Sequence, residues 1–193
     1  MTNLWKSGTQ KAFYGYMANL AISVIGGLIL WMLEPSVLEV LAGGGSGYFT
    51  ALIIFGLAGV AALVYYIMGL NEMKKAAANT SLEDATQRLF IGAALTIGSL
   101  VLSSFNTTLL FGALLGLAGF IVTWTGYSMV KDSATDANAK FGGEKLAFSA
   151  LIVAIAYVVD LVPVIGDLAA LCLEAWAAYI AYQGWKALTE SEL

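Results

Sequence analysis

Long apolar segments dominate this sequence and limit what it can fold into. A helix that crosses a lipid bilayer needs about 20 mostly apolar residues. Six segments approach or exceed that length, at residues 12–33, 48–70, 89–105, 108–130, 146–162 and 164–185. The third and fifth are near the short limit, so either could instead be a buried or re-entrant segment. We predict an all-α integral membrane protein with six transmembrane helices in one domain over residues 1–193.

Composition and charge agree with a membrane protein and exclude several functions. The chain is 60% apolar and 11% charged, whereas a soluble domain is about 45–50% apolar and about 25% charged. The excess must face lipid, because 193 residues enclose too little interior to bury it. The net charge of −4 disfavours a nucleic-acid partner, which requires a basic surface. Without histidine, and with Cys172 as the only cysteine, the chain lacks the usual metal ligands and cannot form an intramolecular disulfide.

The positions of the basic residues predict the orientation in the membrane. With six spans, all the Lys and Arg side chains fall on one side, at Lys6, Lys11, Lys74, Lys75, Arg88, Lys131, Lys140, Lys145 and Lys186. Removing one span would scatter these cations over both sides. The positive-inside rule then places both termini and the two longer loops in the cytoplasm, so we expect a multi-pass protein of the cytoplasmic (inner) membrane. The first segment is longer than the roughly 7–15 apolar residues of a signal peptide, so we expect it to remain as an anchor.

The connections on the opposite side predict three helical hairpins. "SSFNTT" and "DLVPVIGD" are tight connections, and "EPSVLEVLAGGGSG" is longer, with room for a short helix after Pro35. Gly69, Gly126 and Gly184 recur at offsets of 57 and 58 near the ends of the even-numbered segments. That pattern fits either true repetition of a hairpin or merely similar segment ends.

Two local patterns concern the cytoplasmic loops. "TSLE" at residues 80–83 predicts a capping box, in which Thr80 caps a helix and Glu83 reaches back. "FGG" at residues 141–143 predicts a break in the chain before the fifth segment.

Small residues at helical spacing predict close helix packing. Such residues let helix backbones approach each other within a membrane. They occur as Gly112 and Gly116 in the fourth segment, Ala94 and Gly98 in the third, and Gly56 and Gly59 in the second. They fit packing within one bundle or an interface between subunits.

An acidic stretch around the last connection contains the candidate functional residues. Asp160 and Asp167 flank "LVPVIG", where a turn is expected and Asp167 can cap the sixth helix. The alternative is an acidic outer mouth that attracts cations.

Glu174 lies eight residues beyond Gly166 and thus about 12 Å into the membrane, where a charged residue costs about 2.5–3.5 kcal/mol and normally faces the bundle interior or water. Its helical neighbours are Asp167, Ala170, Ala177, Ala178 and Ala181, which predicts an inward face. Tyr157 is a candidate hydrogen-bond partner. Three roles remain open: a proton or cation path, a neutral core glutamate, and a contact with a partner subunit.

The sequence contains no nucleophile motif, phosphate loop or dinucleotide fingerprint. We therefore expect no enzyme, no catalytic residues, no cofactor and no metal. The first hypothesis is a structural or assembly subunit of a larger or homo-oligomeric membrane complex, in contact with the lipid bilayer and with other subunits or copies of itself. The alternative is an oligomeric ion or proton channel, or a small proton-coupled transporter, that uses Glu174 with Asp167 and Asp160.

Overall fold

A computed structural model describes residues 2–35, 44–103, 109–160 and 166–192, and all regular elements within those ranges are α-helices. In chain order they are α1 (Thr2–Leu33), α2 (Ser46–Ala76), α3 (Glu83–Ser103), α4 (Leu109–Ser133), α5 (Ala137–Asp160) and α6 (Gly166–Thr189). The all-helical class is thus confirmed. The connections at 36–43, 104–108 and 161–165, with the short helix expected after Pro35, lie outside the described residues.

Three of these helices are long and apolar enough to cross a membrane. They are α1 over Asn3–Leu30, α2 over Ser46–Ala76 and α4 over Leu110–Ser133. Each exceeds the roughly 20 residues that the hydrocarbon core requires. By length and composition, the chain is a membrane protein.

Helix α5 corrects one prediction, because it continues unbroken through Phe141, Gly142 and Gly143. The two glycines allow close packing and do not end the helix. A Cβ on Gly142 would lie 2.7 Å from Leu188 Cγ, and one on Gly143 would lie 2.6 Å from the backbone nitrogen of Lys131. The glycines therefore place α5 against α6 on one side and α4 on the other.

The start of α3 differs slightly from the predicted capping box. The helix begins at Glu83. The Thr80 hydroxyl accepts a hydrogen bond from the Leu82 N–H at 3.2 Å, and the Glu83 carboxylate accepts one from the Asn79 N–H at 2.6 Å. Both predicted side chains thus satisfy free backbone donors, but Glu83 reaches one residue further back than expected.

Consecutive helices pack as antiparallel pairs through glycines. In the first pair, Gly8 lies against Met73, Gly15 against Tyr66, and Gly26 against Phe55. The contacts on α1 advance as those on α2 retreat, which shows the antiparallel direction. The pairs α3–α4 and α5–α6 pack through Gly92, Gly119, Gly142 and Gly184. Glycines allow this because no Cβ separates the two backbones.

The three pairs form a ring. Beyond the contacts within pairs, α2 contacts α3, α4 contacts α5, and α6 contacts α1. The last of these contacts joins the two ends of the chain, and it includes a tilted ring pair between Phe13 and Tyr182 at 5.8 Å. The ring is thus closed by non-covalent contacts between α1 and α6.

The main hydrophobic core lies at the end of the ring that holds both termini. It takes buried side chains from all six helices, including Trp5, Leu89, Val130, Leu146 and Trp185. A smaller core, formed by Ile152, Ala177 and Ile180, lies between α5 and α6. The pairs are therefore joined to one another chiefly at one end.

The three pairs use equivalent positions in this core. Gly69 packs on Ala12, Gly126 on Leu89, and Gly184 on Leu146. The residues that follow these glycines are also buried, namely Leu70, Tyr127 and Trp185. The faint spacing in the sequence thus corresponds to one packing arrangement that occurs three times around the ring.

Candidate functional site

Four aromatic side chains meet where the three pairs join, and we call them the aromatic floor: Tyr16, Tyr66, Tyr127 and Trp185. The Trp185 ring centroid lies 5.9 Å from that of Tyr66 and 6.2 Å from that of Tyr127, both edge to face. The Tyr16 ring lies 6.3 Å from Trp185 on another side. Because these rings come from α1, α2, α4 and α6, they close the space between the pairs at this end.

Polar atoms lie inside the aromatic floor. The hydroxyls of Tyr66 and Tyr127 are 3.5 Å apart. Trp185 is fully buried, and its indole N–H has no hydrogen-bond partner among the described residues. A buried N–H without a partner costs free energy, so this donor is available to a water molecule or another acceptor.

Glu174 lies above this floor on the same face of α6 as Trp185. It precedes Trp185 by eleven positions, which is close to three helical turns and about 16 Å. The side chain of Glu174 is exposed, although Ala177 and Ala181 on the same side of the helix are buried. Glu174 is therefore not buried by the described residues of this chain, and its role stays a prediction.

Small and polar residues occupy the corresponding positions on neighbouring helices. Counted from the repeated glycines, Gly59 on α2 and Gly116 on α4 correspond to Glu174. A Cβ on Gly59 would meet no atom within 4 Å, and the same holds for Gly27 on α1. Ser23, two turns beyond Tyr16 on α1, is exposed. Helical geometry places Ser23, Gly27, Gly59 and Glu174 on the helix faces that carry the floor residues, and we call the region bordered by these four residues the axial space.

The other predicted acidic-site residues cannot be placed in this region. Asp160 is the last residue of α5 and Asp167 the second residue of α6, and their side chains lie outside the described parts of the chain, as does that of Tyr157. Asp167 precedes Glu174 by seven positions, so its backbone lies two turns further from the floor on the same face. Of the predicted set, only Glu174 has a described side chain.

The predicted packing residues divide into two groups. In α4, a Cβ on Gly116 would lie 2.7 Å from Ser99 Oγ, and Ser99 donates a hydrogen bond to the Gly112 carbonyl at 2.8 Å. Gly98 contacts Leu115 in the same pair. This motif therefore packs within the chain.

The remaining small residues lie on exposed or open parts of the described helices. Ala94 is exposed, and a Cβ on Gly56 or Gly59 would meet open space.

Sequence reasoning missed the aromatic floor, because Tyr16, Tyr66, Tyr127 and Trp185 are far apart in the sequence and meet only in the folded ring. One signal was available in the sequence: an aromatic residue follows two of the three repeated glycines, at Tyr127 and Trp185. Among the described residues, no three metal-ligating side chains lie close enough to hold a metal ion.

Comparisons of this chain with protein-family models, with curated proteins and with solved structures find no significant match. Functional inference therefore rests on the geometry of the axial space and its floor.

Proposed function

We propose that this protein is a six-span membrane protein whose axial space admits protons or small cations, with Glu174 as the binding carboxylate. The observation that carries the proposal is the exposure of Glu174 on the helix face that also holds buried Trp185. A carboxylate in a membrane span faces water or the bundle interior, because lipid exposure costs about 2.5–3.5 kcal/mol. None of the six apolar segments contains Lys or Arg, so a mobile cation is the natural counter-ion.

The topology in this proposal has six spans in three hairpins, with both termini in the cytoplasm. The antiparallel helix pairs and the proximity of the two termini support it. All nine cations then face the cytoplasm in an inner membrane, as the positive-inside rule favours. The aromatic floor lies at the cytoplasmic end of the axial space and Glu174 nearer the outer surface. The site is therefore approached from outside, and passage requires the floor to open.

The structural or assembly subunit is the second candidate. The observation that favours it is an exposed apolar surface on the side of α6 away from Glu174, where Trp176 packs edge to face on Phe148 and Cys172 is also exposed. In that role, another subunit or a second copy would cover this surface. The protein acts on no substrate in either role and is not an enzyme.

Flux measurements distinguish the two candidates. Purified protein reconstituted in liposomes is tested with a pH-sensitive dye under a potassium or sodium gradient. We expect a flux that Glu174→Gln abolishes, whereas Glu144→Gln, the same change at an exposed position on α5, retains it. Folded wild-type protein without flux, together with a stable co-purifying partner, would favour the assembly subunit.

A further inference from the structure

The three pairs carry a basic residue at equivalent positions, and one of the three side chains has no partner among the described residues. Lys11, Arg88 and Lys145 each precede a residue that packs on a repeated glycine. Lys11 forms an ion pair with Glu72, and the Lys145 ammonium lies 5.0 Å from the centroid of the Phe141 ring. Arg88 is exposed, and its side chain has no ion pair, side-chain hydrogen bond or ring contact among the described residues.

A surface groove lies beside the free guanidinium. It has a volume of about 400 Å³ and is lined by Asp84, Gln87, Arg88 and Ile91 of α3 and by Val122 of α4. Ile91 is exposed, and Val122 is half-buried. An unpaired guanidinium at the edge of an apolar groove is suited to a ligand with a phosphate and a hydrocarbon part, because its planar fork of donors matches phosphate oxygens.

Along α3, the residues that line the groove occur in the same order as the chemical groups of a phospholipid whose headgroup carries an amine. Ile91 lies one turn beyond Arg88 toward the membrane interior, and Asp84 lies four residues, or about 6 Å, toward the other end. A phospholipid in the same leaflet places its acyl chains deepest, its phosphate next and its ammonium outermost. Apolar, basic and acidic side chains therefore occur at matching depths along one helix.

We propose that this groove binds a phospholipid with a primary amine headgroup. Arg88 binds the phosphate, Asp84 binds the ammonium, and one acyl chain lies along Ile91 and Val122. The inference rests on the proposed topology, in which α3 enters the membrane after Arg88. A basic residue without Asp84 would favour any anionic lipid, whereas the carboxylate favours a headgroup that carries an ammonium.

Native mass spectrometry of the delipidated protein in detergent tests the site. Phosphatidylethanolamine is titrated in parallel with phosphatidylcholine, phosphatidylglycerol and inorganic phosphate. We expect the tightest binding for phosphatidylethanolamine. Arg88→Gln should weaken it at least tenfold, and Asp84→Asn should remove the preference over phosphatidylcholine. Lys140→Gln, which removes an exposed cation on α5, should leave it unchanged.

Three outcomes would overturn the proposal: equal weakening by Lys140→Gln, a preference for phosphatidylglycerol, or displacement of the lipid by inorganic phosphate at similar concentration. A failure of the topology is detected separately. Labelling of a cysteine at position 88 from the outside contradicts the six-span arrangement, whereas correct labelling without lipid binding contradicts only the lipid site.

Discussion

The indole N–H of Trp5 donates a hydrogen bond to the hydroxyl of Ser191 at 3.0 Å, across 186 positions of the chain. Both residues are buried, and the Ser191 hydroxyl in turn donates to the Leu188 carbonyl at 2.7 Å. The first turn of α1 is thereby bonded to the segment that follows α6. This bond lies where the ring closes without a covalent connection, so the two ends of the chain stabilise the whole ring.

Removing the Ser191 hydroxyl should weaken this closure. Ser191→Ala leaves the Trp5 N–H buried without an acceptor, which costs about 1–3 kcal/mol. Thermal unfolding in detergent measures the change. Thr189→Ala is the matched control, because its exposed hydroxyl donates only to the nearby Lys186 carbonyl. Equal losses of stability from the two substitutions would show that the Trp5–Ser191 hydrogen bond stabilises the protein no more than an exposed hydroxyl does.

Alanine substitution should divide the glycines of α2 into two classes. A Cβ on Gly69 would lie 2.6 Å from the Gly8 carbonyl oxygen, so Gly69→Ala must separate α1 from α2. Overpacking of this kind costs about 1–3 kcal/mol. Gly56→Ala meets open space and gains about 0.5–1 kcal/mol of helix preference. The unfolding temperatures of the two variants should therefore shift in opposite directions. A lower unfolding temperature for Gly56→Ala would show that another surface covers that face of α2.

Cysteine labelling in intact cells tests the topology. In a Cys172→Ser background, cysteines at Lys75 and Lys140 should resist a membrane-impermeant maleimide and react only after the cells are opened. A cysteine at Glu34, exposed at the opposite end of α1, should react in intact cells. Labelling at position 75 or 140 from outside would contradict the proposed orientation.

Apolar runs predicted the helices well, because a length near 20 residues and a lack of charge are local properties. The helices nevertheless extend beyond those runs, as α5 does through Gly142 and Gly143. Glycine lowers helix propensity, but a close neighbour can restore the helix by packing against its backbone. Propensity was therefore misleading where tertiary contact decided the structure.

The candidate site was only partly predictable. Glu174 could be identified from its depth and its alanine neighbours, since both follow from helical geometry. Its exposure could not, because it depends on which helices pack against that side of α6. The aromatic floor was missed for the same reason, since Tyr66 and Trp185 meet only when α2 and α6 belong to one ring.

The two buried tryptophans allow the free-energy cost of burying the unpaired indole N–H of Trp185 to be measured. Trp5 and Trp185 are both fully buried, but only Trp5 has a hydrogen-bond acceptor among the described residues. Phenylalanine removes the N–H and part of the ring at either position. Trp5→Phe loses a hydrogen bond, whereas Trp185→Phe removes a donor whose unpaired burial costs about 1–3 kcal/mol.

We expect Trp5→Phe to lower the free energy of unfolding by more than Trp185→Phe, by about 1–3 kcal/mol, as measured by denaturant unfolding in detergent. Equal losses would show that Trp185 has an acceptor in the folded protein, such as a water molecule within the aromatic floor.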